Sequence, residues 1–215
     1  NVNGKMTELT NLSTKEMKNI RKNFQMLFQD VYSSLDTRMK ISKIVTEPLD
    51  IHNVGTKKER IERAKELMIK VGLSENDLEK YPHQFSGGQR QRIGITRALS
   101  INPEFIICDE PVSALDVSVQ AQILNLLVDL KNEFNLSYLF IAHDLSVVKY
   151  ISDRIIVMYL GKILEIASSS DIYESPRHPY TEALLAAISK NEAGSKRDIL
   201  LKGNIPDPSN PPLGC

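Results

Sequence analysis

The stretch that most constrains the fold runs from residue 105 to residue 143. It contains two short apolar runs, FIICDE and SYLFIAHD, on either side of a longer segment with helical spacing, VSVQAQILNLLVDLKNEF. This order predicts a strand, a crossover helix and a second strand. His143 lies 34 positions after Asp109, which suits one right-handed crossover, so the strands should be parallel and covered by helices on both faces. The sequence therefore predicts an α/β fold.

Polar residues follow both predicted strands: Asp109 and Glu110 close the first, and His143 closes the second. Ligands of open α/β sheets bind beyond the carboxyl ends of the strands. The two carboxylates can have separate roles: Asp109 holds Mg²⁺, directly or through water, and Glu110 polarises an attacking water as general base. The alternatives are that both carboxylates cap the helix beginning near Asp116, and that His143 is a core histidine beside an N-cap.

A third strand is predicted upstream, where QMLFQ places Met26, Leu27 and Phe28 in a buried strand that ends at Gln29. The neutral amide of Gln29 can reach either a metal or a water. Between the carboxylate pair and the crossover helix, the segment PVSALD contains Ser113 and Asp116. By themselves these two residues are typical of a turn and a helix cap.

The segment FSGGQRQR, residues 85–92, predicts the start of a helix. Ser86 and Gln89 have the spacing of a capping box. In such a box the side chain of each residue accepts a hydrogen bond from the backbone amide of the other. Two glycines in a first turn cost about 1 kcal/mol each relative to alanine, but Gly87 and Gly88 would let an outside group approach. With the helix dipole, this turn is predicted to dock a phosphate; the alternative is an ordinary capped helix with a solvated basic face.

The remaining pattern is mostly helical from about residue 40 to residue 100 and mixed after residue 143. A helix is predicted from Thr56 to about Val71, a short one after Ser74 that Pro82 stops, and a third from about Gly87 to Leu99. The runs RIIVMYL and KILEIA predict a hairpin, followed by two short helices, SSDIYES and PYTEALLAAI, and a proline-rich end, NIPDPSNPP.

Composition excludes several functional classes. The chain has 27 basic and 27 acidic residues, so no global charge favours nucleic acid. It shows no secretory signal and no apolar run long enough for a membrane helix, which predicts a cytosolic location. The two cysteines, Cys108 and Cys215, do not make a disulfide framework.

Five motifs occur together and in order: Gln29, FSGGQ, FIICDEP, SALD and His143. In these motifs the chain resembles an ATP-binding cassette (ABC) ATPase, where they are the Q-loop glutamine, the signature, the Walker B strand, the D-loop and the switch histidine. The segments FQDVYSSLDTRM and RHPYTEALLAAI and the ending IPDPSNPPLGC narrow the resemblance to the ATP-binding subunit of oligopeptide, dipeptide or nickel importers.

The resemblance implies a P-loop NTPase-like core with an inserted helical subdomain. It implies four parts: residues 1–39 with the Q-loop, the helical subdomain 40–100, the core segment 101–168, and a C-terminal extension 169–215. ATP and Mg²⁺ are the expected cofactors. The expected residues are Glu110, His143 and Gln29 for catalysis, Asp109 and Gln29 for the metal, and Ser86, Gly87, Gly88, Gln89 and Asp116 for the nucleotide.

The resemblance also implies partners and a location. Two such subunits, identical or different, would face each other head to tail, so that Ser86 to Gln89 meets the γ-phosphate bound by the other. Residues after Gln29 and in the helical region would contact a membrane permease, and an extracytoplasmic solute-binding protein would act indirectly. The subunit would lie at the cytoplasmic face of the membrane, with no nucleic-acid partner.

One expected motif is absent: the 215 residues contain no G-x-x-x-x-G-K-[ST] loop, and Gly4-Lys5 is followed by Met6. Such a loop cradles the phosphates and supplies a lysine and a magnesium-binding hydroxyl. We therefore expect a fragment that lacks the N-terminal part of the core, cannot bind ATP alone, and exposes an apolar sheet edge and helix faces. The alternatives are a non-catalytic module that pairs with a complete ATPase and a soluble cassette ATPase working on DNA or ribosomes; the second is disfavoured by the neutral charge.

Overall fold

The computed structural model describes residues 8–189, which fall into two units that divide between His143 and Asp144. The predicted proline-rich end, Gly4-Lys5 and Cys215 lie outside the described residues. Within residues 8–189, no helix combines the length and the apolar character needed to cross a membrane.

The first unit contains six helices and three strands in its described part. The helices are α1 (Thr14–Arg21), α2 (Val31–Ser34), α3 (Ile41–Ile51), α4 (Lys57–Lys70), α5 (Gly87–Leu99) and α6 (Val117–Phe134), and the strands are β1 (Phe24–Leu27), β2 (Phe105–Asp109) and β3 (Ser137–Ile141). Short 3₁₀ helices cover Leu9–Asn11, Glu75–Glu79 and Pro82–Gln84.

The three strands form one parallel sheet in the order β1-β2-β3, with Leu27 beside Cys108 and Cys108 beside Phe140. The predicted strand, crossover helix and strand are confirmed as β2, α6 and β3. Helix α6 ends at Phe134, and the left-handed backbone of its C-cap residue Asn135, with φ of 51°, turns the chain back toward β3. The carboxyl ends of all three strands therefore lie along one edge.

One face of this sheet is packed and the other is exposed. Leu27, Ile106 and Cys108 are at most 2% exposed, and the Tyr138 hydroxyl on the same face donates to the Leu127 carbonyl of α6. On the opposite face Met26 is 36% exposed and Leu139 43%. The expectation that helices cover both faces is thus wrong for the described residues.

The strand β1 also departs from its prediction. Only Leu27 is buried, whereas Met26 and Phe28, the latter 46% exposed, were expected to be buried. An apolar run is consistent with a strand buried on both faces, but the run does not say which segment of the chain covers each face.

Residues 40–100 are mostly helical, as the sequence predicted. Thr56 and Glu59 form a capping box at the start of α4, and Ser74 caps the 3₁₀ helix that precedes Pro82. Helix α5 contacts α3, α4 and the first strand, so it attaches the helical region to the sheet. Its amino end begins at Gly87, as predicted.

The second unit contains α7 (Leu145–Ile151), β4 (Arg154–Tyr159), β5 (Lys162–Ser168), α8 (Ser169–Glu174) and α9 (Pro179–Ser189). The predicted hairpin is confirmed: β4 and β5 pair antiparallel, and Leu160 and Gly161 adopt positive φ in the turn. Ile155 and Val157 on one face of the hairpin pack with Ile172 of α8. The two predicted short helices are α8 and α9.

Candidate functional site

Glu110 lies directly after β2 in a turn that fixes its backbone. Its φ of 44° is left-handed, which is uncommon for a residue with a side chain and is frequent at functional sites. The Glu110 amide donates to the Ile141 carbonyl at the end of β3 over 3.0 Å, and the Glu110 carbonyl accepts from the Ser113 amide and hydroxyl. These bonds hold the Glu110 side chain at the carboxyl edge of the sheet.

The carboxylate of Glu110 joins side chains from the ends of all three strands. Nε2 of Gln29, two residues beyond β1, donates to Oε2 over 2.8 Å. Nδ1 of His143, two residues beyond β3, lies 3.1 Å from Oε1. Because parallel strands end at the same edge, two residues far apart in sequence, Gln29 and His143, meet at the carboxylate of a third, Glu110.

This geometry bears on the structural alternatives that the sequence left open for Glu110 and His143. Glu110 contacts Gln29 and His143 and does not cap α6, whose N-cap position is occupied by Asp116. The His143 side chain is 71% exposed and the Glu110 side chain 25%, so His143 is not a core histidine. An exposed imidazole and an accessible carboxylate are suited to handling protons at this edge.

Asp109, the last residue of β2, lines an open cavity of about 340 Å³. Gln29, Asp30 and Ser33 line the same cavity. Carboxylate, amide and hydroxyl oxygens are the ligands that Mg²⁺ prefers, and this ion is usually held by one or two protein carboxylates together with substrate phosphates. Residues 8–189 contain no group of three or more acidic, histidine or cysteine side chains that could hold a metal ion by themselves, so a Mg²⁺ ion here would also need oxygens from a bound phosphate.

The SGGQ turn, which we define as residues 86–89, has the predicted capping box. The Ser86 hydroxyl accepts from the Gln89 amide over 3.4 Å, and the Ser86 amide donates to Gln89 Oε1 over 2.9 Å. Ser86, Gly87 and Gln89 are exposed. The turn therefore presents the amino end of the 13-residue helix α5, where free amides and the helix dipole attract anions.

The two glycines of the SGGQ turn differ in their surroundings. A Cβ at Gly88 would lie 2.5 Å from Cγ1 of Val119, whereas a Cβ at Gly87 would make an ordinary contact of 3.5 Å with Leu115. The sequence suggested one reason for both glycines, the approach of an outside group. Gly88 has a second reason within the chain, the close packing of α5 on α6.

Asp116 occupies the N-cap position of α6, but its side chain makes no capping hydrogen bond and is exposed. Ser113 makes the expected turn bond to Glu110. Sequence reasoning did not identify Gln120, whose Nε2 donates to the Val112 carbonyl over 2.9 Å and ties the segment before Asp116 to α6. The predicted residues thus form two groups: Gln29, Asp109, Glu110 and His143 at the sheet edge, and Ser86 to Gln89 on α5, packed against the start of α6.

Family models match both ends of the chain. The model described as "ABC transporter" matches residues 1–113, which is just over half of the chain. The model described as "Oligopeptide/dipeptide transporter, C-terminal region" matches residues 164–215. The resemblance predicted from the five motifs is confirmed by these matches.

Two curated relatives come from Bacillus subtilis (strain 168). The oligopeptide transport ATP-binding protein AppF is 54% identical over 212 residues, which are 97% of this chain and 64% of the relative. The oligopeptide transport ATP-binding protein OppF is 58% identical over 177 residues, which are 82% of this chain and 58% of the relative. The chain therefore spans less than two thirds of these proteins.

A solved structure with the same fold is the ATP-binding cassette MJ0796, in a dimeric post-hydrolysis state bound to ADP and Pi. It is 31% identical to this chain, with a TM-score of 0.64 over 74% of this chain and 68% of the cassette. This similarity confirms the predicted fold class, an ABC ATPase core of the P-loop NTPase type. Together, the family model, the relatives and this structure show that the chain belongs to the ABC transporter family.

Proposed function

We propose that this chain is part of the ATP-hydrolysing, energy-coupling subunit of an importer for peptides or similar small solutes. The observation that carries the proposal is the arrangement around Glu110, whose two carboxylate oxygens contact Gln29 and His143 at the carboxyl edge of a parallel sheet. The names of the two relatives, which are oligopeptide transport proteins, support the choice of peptides.

Glu110 would act as the general base. Its turn aims a carboxylate over the edge where ligands of such sheets bind, and His143 is close enough to Oε1, at 3.1 Å, to share a proton with it. Gln29 would orient Oε2 through its amide donor. In the structure described here both carboxylate oxygens are engaged, so an attacking water would have to displace one of the two contacts or bind beside it.

Asp109 and Gln29 would hold Mg²⁺ at the cavity that they share. When bound with the phosphates, this ion neutralises the charge that develops during phosphoryl transfer. Glu110, one residue beyond Asp109, would then face the reacting phosphate from the same edge. Two adjacent carboxylates would have separate tasks, metal binding and proton transfer.

The SGGQ turn and Asp116 would face a nucleotide held by a second ATPase subunit, either identical or different. The exposed amides at the start of α5 suit a terminal phosphate, and the MJ0796 cassette is a dimer bound to ADP and Pi. Closure of the pair would then depend on ATP and move an associated membrane permease. A solute-binding protein outside the cell would deliver the solute, and the subunit would lie at the cytoplasmic face of the membrane.

The phosphate-cradling loop G-x-x-x-x-G-K-[ST] is absent from the 215 residues. We infer that the cradle is supplied by polypeptide outside these residues, and that the 215 residues bind ATP weakly by themselves. The same absence favours a second candidate, a non-catalytic module that lends only its SGGQ turn to a complete ATPase subunit. The two candidates differ in whether Glu110 takes part in hydrolysis.

A substitution at Glu110 tests the proposal in the assembled transporter. Glu110→Gln should lower ATP turnover by roughly 10²-fold or more, the contribution of a positioned general base, and leave ATP binding in place. Glu104→Gln is the matched control, because Glu104 is an exposed glutamate just before the opposite end of β2. Equal turnover in both variants would contradict catalysis by Glu110 and favour the non-catalytic module.

A further inference from the structure

The structure gives Gly88 an unexpected neighbour. A side chain at this position would begin 2.5 Å from Cγ1 of Val119, a distance that real Cβ atoms do not tolerate. Val119 lies in the first turn of α6, 31 positions further along the chain. The SGGQ turn on α5 and the first turn of α6 are therefore in direct contact at a point where only glycine fits.

Val119 has little freedom to move aside. A valine in a helix strongly prefers a single χ1 rotamer, because its two Cγ atoms crowd the preceding turn. The side chain is also half-buried between the two helices. The clash at position 88 is thus with a stiff group and not with the end of a flexible side chain.

The contact joins two groups of residues that the proposed function uses. Val119 is the third residue of α6 and lies three residues after Asp116, the N-cap of the same helix. The next residue, Gln120, donates to the Val112 carbonyl over 2.9 Å and thereby fixes the segment before Asp116. Leu115 lies against Gly87 from the same segment.

We propose that Val119 is a positioning residue for the SGGQ turn: it requires glycine at position 88 and holds Ser86 in a fixed relation to Asp116. The contact between Val119 and position 88 does not depend on the proposed function. Only its consequence for phosphate docking by Ser86 rests on that function. Helix α5 would then not present Ser86 by itself. The start of α6 would set where Ser86 stands when a phosphate docks.

The first test is a double-mutant cycle on thermal unfolding of the full-length ATPase subunit, which needs no nucleotide. Gly88→Ala should lower the melting temperature by several degrees, although alanine favours a helix more than glycine does. Gly87→Ala is the matched control and should leave the melting temperature unchanged or raise it, because its Cβ makes only an ordinary contact. Val119→Ala should lower it slightly, and the double variant Gly88→Ala/Val119→Ala should regain most of the loss.

The second test is the same cycle on ATP turnover in the assembled transporter. Gly88→Ala should lower turnover roughly tenfold or more, the loss expected when reacting groups are misplaced by about 1 Å, and adding Val119→Ala should restore most of it. Additive melting temperatures would overturn the inference, whatever the activity of the transporter. A double variant that regains stability but not turnover would overturn the positioning role, because the nucleotide itself would then require the glycine.

Discussion

Nε2 of Gln29 donates a hydrogen bond of 2.8 Å to Oε2 of Glu110, across 81 positions of sequence. The bond links Gln29, two residues beyond β1, to Glu110, the residue that follows β2. With His143 on the other oxygen, it fixes the direction of a carboxylate that is only partly shielded from water. This arrangement underlies the proposed roles of all three residues.

Removal of the Gln29 amide should slow ATP turnover in the assembled transporter. A hydrogen bond to a charged group contributes about 1.5–3 kcal/mol, so we expect Gln29→Ala to lower turnover roughly tenfold or more. Gln25→Ala is the matched control: Gln25 lies in β1, four residues before Gln29, but its Nε2 donates to the carbonyls of Arg21 and Phe24. Equal losses in the two variants would show that the effect comes from the strand and not from Glu110.

The 215 residues alone should bind ATP weakly. They lack the phosphate-cradling loop, and the cavity at Asp109 is open and has no basic residue in its lining. Isothermal titration calorimetry with ATP and Mg²⁺ should therefore show no saturation at ordinary concentrations. A dissociation constant of about 1 mM or tighter would contradict this prediction and would mean that the phosphates are held by other residues of the chain.

Cys108 should resist alkylation in the folded chain. Burial in the middle strand raises the pKa of its thiol to about 12, compared with about 8.5 for an unperturbed thiol, and the thiolate is the reactive form. A Cys215→Ser variant leaves Cys108 as the single cysteine of the 215 residues. At pH 8, iodoacetamide should label it at least about 10²-fold more slowly than in urea.

The same pKa shift has a consequence for stability. Because the folded pKa lies above the unfolded one, the contribution of Cys108 to stability is complete below about pH 8.5 and decreases as the pH rises toward 12.

For the alkylation experiment, native-state labelling of Cys108 as fast as labelling in urea would contradict the packing of β2 between its neighbours.

The sequence predicted the elements around the site because local signals mark them. The apolar runs before Asp109 and His143 have strand length, and the crossover segment has helical spacing. Ser86 and Gln89 carry the capping box in their own spacing. The position of the candidate site therefore follows from two rules: the apolar pattern marks the strands, and ligands bind at the carboxyl ends of those strands.

Contacts between distant segments were not visible in the sequence. The Gln29 amide alone indicated either a metal or a water as partner, and its bond to Glu110 depends on the order of the three strands. The contact between Gly88 and Val119 depends on how closely α5 approaches α6. Met26 and Phe28 showed the limit of the apolar pattern, which predicted burial without indicating what covers the side chains.

The most direct test of the account is a structure of the assembled transporter carrying Glu110→Gln, trapped with ATP and Mg²⁺. We expect the Ser86 hydroxyl and the first amides of α5 within hydrogen-bonding distance, about 3 Å, of the γ-phosphate bound by the other ATPase subunit. A closed complex in which residues 86–89 lie far from both triphosphates would contradict the account.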